Sequence, residues 1–536
     1  MSSKDNFNVI SRLVEPRMGK LPLMGRYHKL PRKLSSDYTL TSKVLGTGCN
    51  GSVRMANSIN SKNQQAFAVK TFNTKGMKAD KLEHLQAEIE IFLCMDHPQV
   101  ARLVDVYESE HTINLVMQCM VGGELFDRVM KHKRFPEVEA ADATKQMLLA
   151  VNYVHSHGIV HRDLKLENFL YDTQGSTHLR LIDFGFSKFY DTKHRMHTSC
   201  GTLAYVAPEV LNRSYTSQCD LWSMGVIVFI LLSGHMPFYG QDDAQIRNIS
   251  KGHFVMKSEH WVGVSSQAKS FVRGLLEVNP DKRLTAKAAL QQPWILRNCQ
   301  EPQLDFQPTV SALRSWLAAP PLLRASMCMM AWTLTDEQQA MVRDHFLAID
   351  TNHDGAVSSL ELKDVMVKSH GVAEDEVDAI FTVLTAAHDR EVHYSDFLAA
   401  VACESIVPDD DLLRATFSRF DTKGSGLIVA EDFHNLLGVS VEDGHADAFV
   451  READKEGRGS INFADFSSYV RNARLKMKSP EAKAVTITLP PEATNPTLLG
   501  SQRRSGPVAH EKTIKDHAHE PIAVDLDIKD ACCNLM

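Results

Sequence analysis

Two short stretches carry side chains whose types and spacing suit the transfer of a phosphoryl group. The first is His161-Arg162-Asp163-Leu164-Lys165-Leu166-Glu167-Asn168; the second, Asp183-Phe184-Gly185, begins fifteen positions past Asn168. A carboxylate at Asp163 could orient a hydroxyl and accept its proton, and Lys165 could neutralise charge on the moving phosphate. Asn168 and Asp183 offer oxygens to a hard cation, and Mg²⁺ takes oxygen ligands together with phosphate.

Other elements must position these groups. Upstream lies Leu45-Gly46-Thr47-Gly48-Cys49-Asn50-Gly51-Ser52-Val53, in which Gly46, Gly48 and Gly51 let backbone approach phosphates with no Cβ in the way. Val53 joins them as a candidate nucleotide contact. An apolar strand, Phe67-Ala68-Val69-Lys70, ends in a lysine able to reach the α/β-phosphates of ATP. A periodic helix from about Lys81 to Met95 follows and carries Glu88, the natural ion-pair partner of Lys70. Glu90 is the rival, but it faces elsewhere on the helix. The eight-residue loop and the later Asp-Phe-Gly match the spacing of protein kinases, and a lone glycine loop would be far weaker.

That resemblance implies further roles. Leu115 to Met120 becomes the strand entering the hinge between two lobes, with Met117 at the gatekeeper place and backbone near Cys119 binding adenine. Gln118 replaces the acid often found there, a change expected to matter little. Glu124 could touch ribose or a basic substrate side chain. Between Asp183 and Ala207-Pro208-Glu209 lies an activation segment with Thr198, Ser199 and Thr202. Thr198 and Ser199 are candidate phosphosites, and Arg162 could grip a phosphate there. Lys165 and Gly201 to Val206 resemble serine/threonine rather than tyrosine kinases. Glu209 is expected to pair with Arg283, and Asp220 to hold the catalytic loop from beneath.

At 536 residues the chain needs several cores. A hydrophobic share of 43%, a charged share of 23% and a net charge of −7 argue against nucleic-acid binding. The ten cysteines show no metal-ligand spacing, and residues 1–30 hold no apolar signal segment. A reducing, cytoplasmic location is the expectation. The apolar run Leu221 to Phe238 is short for a bilayer and reads as a buried helix.

From Thr335 the pattern changes to four helix–loop–helix units. In the first loop the calcium ligands fall at Asp350, Asn352, Asp354, Ala356 (through its carbonyl), Ser358 and Glu361, with Gly355 at the sharp turn. The second loop, Thr385 to Asp396, is spoiled by Thr385, Ala387 and Arg390 and is expected to pair structurally with the first without binding metal. The third keeps Asp421, Ser425 and Asp432 but has Lys423 at a ligand place. The fourth has Asp454, Glu456, Asn462 and Asp465 but Arg458 at another. Both end in Asp, which is short for bidentate Ca²⁺, so they are the weaker candidates.

Kinase motifs, a helical junction and four calcium loops in one chain resemble the calcium-dependent protein kinases, over about residues 38–475. The implied fold class is α+β: a two-lobed protein kinase followed by an all-α calmodulin-like EF-hand domain. The implied division is a basic, disordered arm (1–37), the kinase (38–296), an autoinhibitory junction (297–333), the calmodulin-like domain (334–477, with units 335–370, 374–404, 408–438 and 442–475) and a disordered tail (478–536). Lys70, Glu88, Asp163 and Lys165 become catalytic, Asn168 and Asp183 hold Mg²⁺, and Glu124 and Glu167 imply basic residues upstream of the target Ser/Thr. ATP, Mg²⁺ and Ca²⁺ are the implied cofactors, protein substrates the partners, and the chain is expected to be monomeric. Cys533, fourth from the end, is a farnesylation candidate, with Cys532 available for a second lipid and membrane association. The family's basic junction is here reduced to Arg314 and Arg324. Two alternatives follow: an active kinase with a calcium-insensitive docking domain, or a calcium-sensing scaffold without catalysis.

Overall fold

A computed structural model describes residues 6–48, 51–59, 66–190, 194–198, 201–299, 303–385, 391–439 and 444–477. The chain opens with helix α1 (Asn6–Met18), a short helix at Lys20–Met24 and strand β1 (Tyr27–His28). Here the expectation of a disordered arm is corrected. Ile10, Val14 and Met18 are buried, and their four-residue spacing gives α1 an apolar stripe. The charge count of the segment hid that stripe.

Strands β2 (Tyr38–Gly48), β3 (Gly51–Ser58), β4 (Ala66–Asn73), β5 (Leu103–Glu108) and β6 (Thr112–Gln118) complete a six-stranded sheet in the order β1-β5-β6-β4-β3-β2. All neighbours are antiparallel except β1 and β5, which pair in parallel. Alternation buries Phe67 and Val69 of β4 and Ile113 and Leu115 of β6. Helix α2 (Ala79–Cys94) lies between β4 and β5 in the chain, and α1 packs along it.

The second lobe is helical. Helix α3 (Glu137–Ser156) and helix α4 (Gln218–Ser233) form its centre. Every residue of α4 from Cys219 to Ser233 is buried, and Gly234 ends it with φ 75° in the left-handed region. The apolar run seen in the sequence is therefore a core helix. Among the described residues no helix is long and apolar enough to cross a membrane.

The junction forms helices α5 (Gln307–Leu317) and α6 (Pro321–Ala331), broken at the proline pair. Their apolar residues, including Leu313, Trp316, Leu322 and Met330, belong to the core of the EF-hand region. The junction is thus held by the EF-hand region. Four helix–loop–helix units follow, beginning with helix α7 (Asp336–Ile349). The first two loops pair through Ala356–Val357 and Val392–His393, and the last two through reciprocal 2.9 Å hydrogen bonds between Ile428 and Ile461.

Candidate functional site

Lys70 sits in the middle of β4, which continues to Asn73, and pairs across the sheet with Val53 and Leu115. Its Nζ lies 2.6 Å from Glu88 Oε1 on α2 and 3.3 Å from Asp183 Oδ1. Burial opposes the Lys70 charge, but the two carboxylates outweigh it and hold the ammonium above its ordinary range. Glu88 is therefore the partner, and Glu90 faces Arg17 of α1 instead, at 3.6 Å.

Asp163 is buried at the mouth of the second lobe. Its Oδ1 accepts hydrogen bonds from the Thr202 amide and hydroxyl, both at 3.0 Å, and its Oδ2 accepts from Lys165 Nζ at 2.9 Å. Asn168 Nδ2 donates to the Asp163 carbonyl at 2.7 Å, which leaves the Asn168 amide oxygen as an acceptor for a cation. Asp220 of α4 supports the loop from below, accepting from the His161 and Arg162 amides at 2.9 and 2.8 Å. Burial would raise the Asp220 carboxyl, but bonds from His155 and the His161 amide hold it below its ordinary range. Arg162 has φ 70° and Asp183 φ 62°, so both backbones take the left-handed conformation that side chains resist. Phe184 is buried, its ring 5.4 Å from Phe92 of α2, and this contact ties Asp183 to the helix that carries Glu88.

The glycine hairpin pairs Gly46 with Val53 and Gly48 with Gly51, and the tip residues Cys49 and Asn50 lie outside the described residues. Gly51 has φ 135°, and a Cβ there would meet the Thr71 carbonyl oxygen at 2.6 Å. Met117 pairs with Ala68, and Cys119 follows in the connection. Glu124 precedes the helix Leu125–His132, its carboxyl raised by burial and by Asp127 and Glu167 nearby. A cluster of like charge is suited to a cation. Glu209 and Arg283 form the expected bidentate pair at 2.6 and 3.0 Å.

Arg162 Nε donates to the Phe186 carbonyl at 2.6 Å, which fixes the guanidinium beside the activation segment. One reading of the sequence needs correction here: Gln118 matters more than expected. Its Oε1 accepts from Arg180 at 2.9 Å, and its Nε2 donates to Asp336 of α7 at 2.5 Å, joining hinge to EF-hand. No local motif signals a contact across 218 residues. Thr198 contributes its carbonyl to Tyr215, whereas Ser199, Ala387, Arg390, Cys532 and Cys533 lie outside the described residues.

The first calcium loop fits its ion. Asp350 is buried with Oδ1 lacking a hydrogen-bond partner, and burial together with Asp354 and Glu361 pushes its carboxyl up to about 8. A divalent cation would relieve that crowding. Glu361 folds over the loop, accepting from Thr351, Asn352 and Ser358, while Asn352 and Asp354 bond successive amides. The loop also abuts the kinase: Asn152 of α3 donates to the His353 carbonyl at 2.5 Å and Ser156 to the Asp354 carbonyl at 3.0 Å.

The other loops differ. In the third, Asp421 accepts from the Ser425 and Gly426 amides and Asp432 from Val429, while Lys423 pairs outward with Glu431 at 2.5 Å. In the fourth, Arg458 pairs with Glu456 at 2.7 Å and with Asp465, two of the candidate ligands, and Asn462 caps the Asp465 amide. A tethered guanidinium thus sits among the donors that a cation would need.

Fold and site together define a protein kinase joined to an EF-hand domain. The protein kinase domain family matches residues 39–295, the EF-hand domain pair 409–471 and the EF hand 342–366. A calcium-dependent protein kinase of Arabidopsis thaliana, number 32, is 31% identical over 448 residues, covering 82% of this chain and 83% of the relative. Calcium-dependent protein kinase 3 of Plasmodium berghei (strain Anka) is 31% identical, over 82% and 81%. Calcium-dependent protein kinase 7 of Oryza sativa subsp. japonica is 32% identical, over 82% of each chain. The chain belongs to the calcium-dependent protein kinase family. It is a serine/threonine protein kinase acting on protein substrates, whose kinase domain calls for ATP and Mg²⁺ and whose EF-hands call for Ca²⁺.

Proposed function

We propose that Asp163 is the base of this calcium-regulated kinase and that regulation runs chiefly through the first calcium loop. The observation that carries the catalytic part is the Asp163 carboxylate, held between Lys165 and Thr202, in the same cleft as the Lys70–Glu88 pair. Asp163 orients the acceptor hydroxyl and takes its proton, and Lys165 faces the phosphate in transfer. Lys70 fixes the nucleotide phosphates. Asn168 and Asp183 would hold Mg²⁺, which when bound offsets phosphate charge.

Glu124 and Glu167 supply negative charge beside the acceptor path, so substrates with basic residues upstream of Ser or Thr are the proposed class. For calcium, Asp350, Asn352, Asp354, Ala356, Ser358 and Glu361 form the working cage. Its contacts to Asn152 and Ser156 offer a direct route into the kinase. The protein is proposed to act as a cytoplasmic monomer, with Cys533 as a farnesyl acceptor that would add membrane association.

The test is transfer of labelled phosphate from ATP to paired serine peptides, with basic or neutral upstream residues, in calcium or chelator. The expected result is transfer favouring the basic peptide, higher in calcium and lost in Asp163→Ala. Equal rates in calcium and chelator would reject regulation through the loop, and equal rates on the two peptides would reject the acidic subsite.

A further inference from the structure

Helix α1 precedes the span matched to the kinase family, yet it lies against the helix that carries Glu88. It is fastened at both ends. At its start, Asn6 donates to Glu108 at 3.0 Å and accepts from Gln86 of α2 at 2.7 Å. Along its length Ile10, Val14 and Met18 bury their side chains. Near its end, Arg17 reaches Glu90 of α2 at 3.6 Å, and its guanidinium carbon sits 3.8 Å from the centroid of the Phe189 ring.

Phe189 belongs to another part of the machine. Lys188–Phe189 pair antiparallel with Ile159–Val160, the two residues that lead into His161 and the catalytic loop. The same strand follows Asp183-Phe184-Gly185 by a few residues. Arg17 therefore touches the first-lobe helix on one side and the second-lobe strand pair on the other. Glu90 is two residues from Glu88, so a displacement of α2 that broke the Arg17 contact would also move the Lys70 partner.

We propose that α1 is a positioning element for phosphoryl transfer, with Arg17 tethering the Glu88 helix to the strand that follows the Asp183 metal-binding segment. This rests on the reading of Lys70, Glu88 and Asp183 as catalytic groups. Arg17 does not touch substrate; it acts through α2 and Phe189. An ion pair at a partly exposed site and a cation–π contact are each modest, so together they suit a bias between two arrangements of α2 rather than a brace for the whole fold. The side chain is 45% exposed, and the stripe of α1 does not depend on it.

The experiment compares full-length wild type, Arg17→Ala and Arg17→Lys, with calcium saturating. It reads kcat, KM for ATP and for peptide, melting temperature, and amide exchange over residues 79–94 and 218–233. Arg17→Ala is expected to lower kcat about fivefold, the factor two weak contacts can supply. Peptide KM and melting temperature stay near wild type, and exchange rises over 79–94 but not over 218–233. Arg17→Lys, which keeps the charge for both contacts, is expected to recover most of the rate. Wild-type kcat and exchange in Arg17→Ala would overturn the proposal. So would a loss matched by lower melting temperature and faster exchange in both segments, or a Lys variant no better than Ala. Exchange over 79–94 needs no turnover: a wild type that transferred no phosphate would sink the catalytic reading, while that exchange still decided the tether.

Discussion

Arg102 of the kinase stacks on Trp332 at the end of the junction, its guanidinium carbon 4.5 Å from the ring centroid. Arg102 Nη1 also donates to the Ala331 carbonyl at 2.5 Å, and Arg26, fully buried, approaches the same ring to 3.7 Å. Trp332 thus gathers the N-terminal arm, the rear of the kinase and the junction at one point. Trp332→Ala should cost about 3–5 kcal/mol, the usual range for deleting a buried aromatic, with less for Trp332→Phe. Calorimetric melting of the two variants checks this; a change within error would mean the ring contributes little.

In the cleft, Asp163→Ala should reduce kcat by about 10²–10⁴-fold, the range for removing a positioned base. Glu88→Gln should cost less, because Asp183 still faces Lys70 at 3.3 Å. Steady-state kinetics on a serine peptide measure both. A Glu88→Gln loss larger than that of Asp163→Ala would contradict the ordering.

Calcium should act through one strong loop. Glu361→Gln weakens the ligand that closes the cage, and its activity in calcium should match wild type in chelator. Activity of the variant that still rises with calcium would assign the switch to other loops.

The fourth loop permits a gain-of-function test. Arg458 now pairs with Glu456 and Asp465. Replacing it by Asn frees both carboxylates and restores an oxygen at that place, so Arg458→Asn should add a weak calcium-binding event in titration calorimetry. An unchanged isotherm would show that the short Asp465 suffices to disable the loop.

Acid should loosen the contact between EF-hand and first lobe. Asp105 accepts from Arg419 at 3.0 Å, His28 at 2.8 Å and Tyr38 at 2.5 Å. Burial would raise this carboxyl, but Arg419 and the hydrogen bonds hold it below its ordinary range. A depressed carboxyl contributes stability above its unfolded pKa of about 4, and that contribution is lost as pH falls through the lower folded value. The apparent melting temperature should therefore fall below about pH 4. Arg419→Ala should already be destabilised at neutral pH, by about 3–5 kcal/mol for a broken buried pair. Equal melting of wild type and variant at neutral pH would exclude the pair as a contributor.

The chemistry was legible in the chain because it depends on residue type at short spacing. Asp163, Lys165 and Asn168 lie within six residues, the first calcium loop within twelve, and both folds need their ligands at fixed steps along a local backbone. The defects of the later loops could be read the same way, since a cation at a ligand position is visible without coordinates. What only the tertiary structure decided is how the parts meet. Arg17 with Phe189, Gln118 with Asp336, Arg102 with Trp332 and Asp105 with Arg419 join residues far apart in the chain. Each partner alone is an ordinary polar or aromatic residue, and no local pattern marks it. Such pairs are selected by burial and by the need to satisfy charges removed from water, conditions that exist only once the lobes have packed.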